Sequence, residues 1–124
     1  MKMVLTRTKF HRDCSLGELV AGPLVLSTRE MPTASRKVPG PKAHPPGDYE
    51  VSCSEGVLSF ESRTRNGVFS FRPGIQTIVV GRSCLERTPV EAEAAVFDLY
   101  NLVNDYIQTG DHVVLEIREM WHGR

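Results

Sequence analysis

Short alternations of apolar and polar residues, broken by turn residues, run along most of the chain. Met3–Phe10 alternates with period two, as do Ser15–Val20 and Leu24–Glu30 on either side of Ala21-Gly22-Pro23. A period of two puts successive side chains on opposite faces of a strand. Asp48–Cys53, Val57–Ser62, Val68–Phe71 and Gln76–Val80 read the same way, separated by Ser54-Glu55-Gly56, Arg65-Asn66-Gly67 and Pro73-Gly74. Asn66-Gly67 is the clearest tight turn, because both residues tolerate positive φ. His112–Glu119 closes the chain as a strand with Val113, Leu115 and Ile117 on one face.

One segment carries a different period. Val96, Leu99, Tyr100, Val103 and Ile107 recur at helical spacing, and Glu91, Glu93, Asp98, Asn101 and Asp105 fall on the other side. Thr88-Pro89-Val90-Glu91 has the form of a capping box with proline at the first helical position. Gly110 stands where such a helix stops. The spacing predicts one amphipathic helix over about 89–108. Met31–Gly47, by contrast, holds five of the eight prolines and two glycines in seventeen residues, which excludes a helix or a central strand. A loop this long inside a small domain is unusual. The fold class expected is mainly β: an antiparallel β-sandwich or barrel of about seven short strands with that single helix near the C-terminus.

At 124 residues the chain has room for one well-cored domain, spanning 1–124. With 40% hydrophobic and 24% charged residues it is neither a disordered nor a membrane-spanning composition, so no membrane insertion is expected. MKMVLTRTKF is charged too early for the apolar core of a signal peptide. Cys14, Cys53 and Cys84 cannot all pair within the chain and form no C-x-x-C, which suits a reducing, cytoplasmic setting. Fifteen basic and fifteen acidic side chains cancel, which disfavours general nucleic-acid binding. Their layout is uneven, however. Residues 63–87 carry five arginines (Arg63, Arg65, Arg72, Arg82, Arg87) against Glu86 alone, whereas 88–124 carries two arginines against seven acids. The plain reading pairs these arginines with the acidic C-terminal third. The sharper one makes them an anion-binding face, since the guanidinium fork suits carboxylates and phosphates.

Cys14 and Cys53 fall in or beside strands and read as small hydrophobes. Cys84 differs: it sits between the last short strand and the helix start, with Arg82 and Arg87 within three residues, surroundings that suit a reactive cysteine. Its plain reading is an idle, half-buried side chain. His11, His44, His112 and His122 lack ligand spacing, so no metal is expected. His44 or His122 is the available base for Cys84. No Gly-rich phosphate loop or nucleophile elbow is present, and no cofactor is implied.

Several stretches follow a familiar order. They are Leu5-Thr6-Arg7, Ser15-Leu16-Gly17-Glu18-Leu19, Thr28-Arg29-Glu30, Ala43-His44-Pro45-Pro46-Gly47-Asp48-Tyr49-Glu50-Val51, Phe71-Arg72-Pro73-Gly74-Ile75, Ser83-Cys84-Leu85 and Val113-Val114-Leu115-Glu116-Ile117. In this order, over nearly the whole chain, they resemble a family of small phage and prophage proteins of unknown function with an L,D-transpeptidase-like core. The resemblance implies that fold, with Cys84 at the nucleophile position. It also shows departures: Arg72 stands at the histidine position, Ile75 at the asparagine and Ser83 at the glycine before the cysteine. Arginine cannot accept the thiol proton, being always charged. Two functions follow as expectations. The first is a non-catalytic binding protein whose degenerate, arginine-lined cleft (Arg72, Arg82, Arg87, with His44) takes an anionic small ligand or a protein partner. The second is a cysteine-dependent acyl-transferase or hydrolase related to peptidoglycan chemistry, with Cys84 as catalytic nucleophile.

Overall fold

The computed structural model describes residues 1–33, 42–62, 68–70 and 78–120. Eight strands form one sheet: β1 (Lys2–Phe10), β2 (Ser15–Ala21), β3 (Leu24–Glu30), β4 (Gly47–Ser54), β5 (Val57–Ser62), β6 (Val68–Ser70), β7 (Val79–Gly81) and the last strand, Val114–Glu119. Between β7 and that strand lie a two-stranded hairpin, β8 (Ser83–Leu85) with β9 (Thr88–Val90), and the helix α1 (Ala92–Gln108). The final strand is therefore β10, and the sheet order is β6-β5-β4-β10-β1-β2-β3-β7. Every pairing is antiparallel except β1 with β10, the two strands at its centre.

The expected fold class holds. The chain is mainly β with one helix near its C-terminus, and among the described residues no second helix occurs. Most strand bounds match the alternation to within a residue or two, because the turns between them are chemically explicit. Glu55 and Gly56 both take positive φ (51° and 78°), the arrangement that matches the twist of a tight hairpin. The Asn66-Gly67 turn and the Arg72–Ile75 segment lie outside the described residues.

Period two delivers the core. Met3, Leu5, Leu19, Leu26, Leu58, Phe60, Leu115 and Ile117 turn to one face of the sheet and are buried there with Ala95, Leu99 and Val103 of α1. The helix touches both β4 and the edge strand β7, five places apart in the sheet order, so the sheet curls around it. Leu99 and Val103 are buried as the stripe requires, but the centre of the buried face is rotated toward Ala95. Val96, Tyr100 and Ile107 pack against the core from its margins, and Phe97 is exposed. Gly110 ends the helix as expected, at φ 89°: its N–H donates to Ile107 O and that of Asp111 to Tyr106 O, the paired bonds of a Schellman motif. Truncating Val103 to alanine is expected to cost about 1–3 kcal/mol in denaturant unfolding. Asn101→Ala, on the exposed side, should leave the midpoint unchanged.

The helix start departs from expectation. Thr88-Pro89-Val90 is not a capping box but strand β9, paired with Ser83–Leu85. The cap position is Glu91, in the left-handed region (φ 55°), and no side chain caps the helix. Pairing decided this: Pro89 has no N–H to donate and fits a short peripheral strand as well as a first helical turn.

On the outer face of the sheet, Glu116 accepts from Arg118 Nε at 2.5 Å and meets Lys2 Nζ at 2.5 Å. Arg118 first, then Lys2, hold its carboxyl down to about 2. A depressed carboxylate contributes stability above its unfolded pKa and loses it as pH falls through the folded one. The difference in melting temperature between wild type and Glu116→Gln should therefore shrink between roughly pH 5 and pH 2. Added salt should shrink it too, since the pair is on the surface.

Candidate binding site at Cys84

The hairpin that carries Cys84 is built from unusual turn chemistry. Glu86 and Arg87 join its strands with φ of 49° and 67°, both left-handed and neither glycine. Such residues carry a steric penalty of about 1–2 kcal/mol each, so the hairpin needs support from outside. Gly81 supplies it. The close approach of β9 leaves no room for a side chain there, and Arg82 N donates to Val90 O at 2.9 Å. Cys84, opposite Pro89 on β8, is exposed.

Cys84 borders a shallow cleft of about 170 Å³ whose other lining residues are Thr8, Lys9, Leu16, Gly17, Ser27 and Thr28. Three features of β1–β3 make this cleft. The β1–β2 register shifts between Arg7 and Lys9, a bulge that re-aims Thr8 and Lys9. Gly17 lies so close to β1 that a Cβ would come within 2.3 Å of Thr6 O. Thr28 is buried, and its hydroxyl has no hydrogen-bond partner among the described residues. Unpartnered buried hydroxyls are uncommon enough to need a reason.

Of the arginines named from sequence, Arg82 and Arg87 are described, and each faces an acid. Arg82 donates to Asp98 Oδ2 at 2.9 Å and lies 3.6 Å from Glu91. Arg87 lies 3.7 Å from Asp13, and its carbonyl accepts from Arg29 Nη1 at 2.7 Å. Neither Arg82 nor Arg87 lines the cleft, and Arg72 and His122 lie outside the described residues. The other cysteines read as expected. Burial pushes the Cys14 thiol up, with Arg29 opposing, and burial pushes up that of Cys53.

His44 belongs to a different cluster. Its carbonyl accepts from Arg7 Nη2 at 2.7 Å, and the fully buried Arg7 grips Glu30 with Nε at 3.0 Å and Nη2 at 2.7 Å. Nη1 reaches Glu119 at 3.0 Å. Burial alone would lower the Arg7 guanidinium, but the hydrogen bonds and charges of Glu30 and then Glu119 hold it above its ordinary value. The same end of the fold is tied by Ala43 N to Pro32 O, Ser15 Oγ to Met31 O and Tyr49 Oη to Pro45 O. Both ends of the proline-rich segment are thus anchored. Sequence reading passed over this cluster, and over Lys9 and Thr28 as site residues. The signal for the cluster was present: Arg7 continues the core-facing parity of Met3 and Leu5, and Glu30 that of Leu26 and Thr28.

No family model, curated protein or solved structure matches the chain.

Proposed function

We propose that this chain is a binding protein that takes the anionic group of a small ligand or a protein partner at the Cys84 cleft, and that it does not run an acyl-transfer cycle. The observation that carries this is the cleft's lining: a free thiol, a lysine and the hydroxyl-bearing Thr8 and Ser27, with no histidine among the described lining residues. Acyl transfer through a cysteine requires a base within hydrogen-bond reach of the sulfur. His44, one candidate base, does not line the cleft. The resemblance to L,D-transpeptidase-like phage proteins supports the same reading, because it puts Arg72 where the proton acceptor belongs. A permanent cation there serves a bound anion. A cytoplasmic, reducing setting keeps Cys84 a free thiol.

Titration with acetate or inorganic phosphate, followed by amide chemical shifts, tests the proposal. Saturating shifts at Thr8, Lys9, Ser27, Thr28 and Cys84 are expected; shifts spread evenly over all basic surface residues would overturn it. The exposed Cys84 favours one rival, the cysteine-dependent acyl-transferase or hydrolase. Release of nitrophenolate from p-nitrophenyl acetate beyond one equivalent per chain, abolished in Cys84→Ser, would establish that rival.

A further inference from the structure

We infer that the solvent face of α1 is a docking surface for a basic segment of another protein, which covers the Phe97 ring with an apolar side chain and pairs its cations with Glu93 and Asp105. None of the residues lining the Cys84 cleft belongs to α1, so this surface is separate from the function proposed above.

Helical spacing lays the surface out. Ala95, Leu99 and Val103 bury one side of α1, while the opposite side carries Glu93, Phe97, Asn101 and Asp105, each a turn beyond the last and all exposed. Phe97 is 67% exposed within that line, and Ala94 and Tyr100 flank it, half-buried, at neighbour spacing. Tyr100 is held in place, its hydroxyl accepting from Gly56 N at 3.3 Å. A phenylalanine open to solvent contributes nothing to the core, and helices are better built from alanine, glutamate or lysine. Interface centres have this form: an aromatic side chain in an apolar spot with a polar rim around it.

Charge names the occupant. From Ala92 to Gln108 the helix carries the acids Glu93, Asp98 and Asp105 and no lysine, arginine or histidine. Arg82 engages Asp98 at 2.9 Å and lies 3.6 Å from Glu91, whereas Glu93 and Asp105 make no ion pair among the described residues. Glu93 suits the first turn of a helix. Asp105 stands in the last turn, where the macrodipole favours a cation and opposes a carboxylate. A face of this sign repels a phosphate backbone or an anionic membrane, and it sets like charges against each other if two copies meet on it. It attracts a cationic protein segment. Glu93 and Asp105 lie about 18 Å apart along the helix, the reach of about six residues of extended chain.

A short peptide of alternating lysine and leucine is the probe, titrated into the intact protein at low salt and followed by amide chemical shifts. Saturating shifts are expected at Glu93, Phe97, Asn101 and Asp105. Phe97→Ser should raise Kd by about tenfold or more, as loss of an aromatic anchor does. Glu93→Gln and Asp105→Asn should each raise it about two- to fivefold, the size of an exposed charge pair, and added salt should act in the same direction. Peptides with glutamate in place of lysine, or serine in place of leucine, should bind more weakly by about tenfold or more. All three positions are exposed, so the variants should keep the wild-type melting temperature, and Asp105→Asn should if anything raise it. The acetate titration at the Cys84 cleft should run unchanged in Phe97→Ser, so the two sites stand or fall separately. Shifts centred on Asp48, Glu50 and Glu61 instead, a Kd indifferent to Phe97→Ser, or no saturable shift at all would overturn the inference. So would a wild-type dimer in sedimentation equilibrium that Phe97→Ser converts to monomer, because the occupant would then be a second copy of this chain.

Discussion

Replacing Arg7 with methionine is expected to cost about 3–5 kcal/mol of folding stability, the largest effect of any single polar substitution considered for this chain. The guanidinium is fully buried, and four of its N–H bonds are accounted for: two to Glu30, one to Glu119 and one to the His44 carbonyl. Glu30 is itself 5% exposed. Removing the cation leaves that carboxylate desolvated and uncompensated, a penalty that exceeds the net worth of the intact pair. Arg7→Lys should recover little of it, since an ammonium cannot reproduce the bidentate fork. The double variant Arg7→Met/Glu30→Met should recover much of the loss, because both charges then leave the interior together. Urea unfolding of the four proteins decides the matter. A loss below about 1 kcal/mol in Arg7→Met would mean that water reaches the cluster and the pair is effectively a surface one.

That cluster also shows what the sequence carried and what it withheld. The strand pattern was legible because period two is physical: residues that alternate in the chain must alternate across a sheet, and Val113, Leu115 and Ile117 are all buried. The helix stripe was legible for the same reason, with its phase off by a fraction of a turn. Ala95 is too small to weigh in a hydrophobic pattern, yet it is as fully buried as Leu99 and Val103. Thr88-Pro89-Val90-Glu91 misled because local chemistry was ambiguous and a non-local contact resolved it. The β8–β9 pairing exists only because Glu86 and Arg87 adopt positive φ, which neither residue type advertises.

The candidate site divides along the same line. Cys84 stood out from its neighbours in sequence and is the exposed cysteine of the three. Lys9 did not stand out, because the eye pairs it with the alternation of β1. Only the register shift after Arg7 re-aims it, and a bulge leaves no composition signal. Thr28 was hidden differently. It occupies a core-facing position, where a lone threonine ordinarily bonds to its own backbone, and only the three-dimensional arrangement shows its hydroxyl without a partner. Arg82 finds its carboxylates, Asp98 and Glu91, in the acidic C-terminal third, as the plain reading of the charge layout has it, whereas Arg87 faces Asp13 of the β1–β2 turn, a contact that layout does not supply.

Gly81→Ala should be the most disruptive small substitution near the site, at about 3 kcal/mol or more. A Cβ there would lie 2.5 Å from Val90 O, 2.7 Å from Val90 N and 2.7 Å from the Pro89 Cβ. Two of those atoms are backbone, so relief cannot come from a flexible side chain swinging away. Either β7 separates from β3, where Gly81 pairs with Ser27, or the β8–β9 hairpin lifts off. The second costs less, because the hairpin lies outside the main sheet and already contains two left-handed residues. Lifting it carries Cys84 away from Thr8, Lys9 and Ser27, so the substitution should open the cleft while the sheet core persists. Amide exchange separates the two routes. Loss of protection at Arg82, whose N–H is bound to Val90 O, with protection kept at Leu5 and Leu19, is the expected pattern. Gly56→Ala is the control: its Cβ meets nothing within 4 Å, and only its φ of +78° opposes it, so about 1 kcal/mol is expected. Equal melting temperatures for Gly81→Ala and wild type, with Arg82 still protected, would show that β9 has slack at this contact and that something other than Gly81 fixes the hairpin beside the cleft.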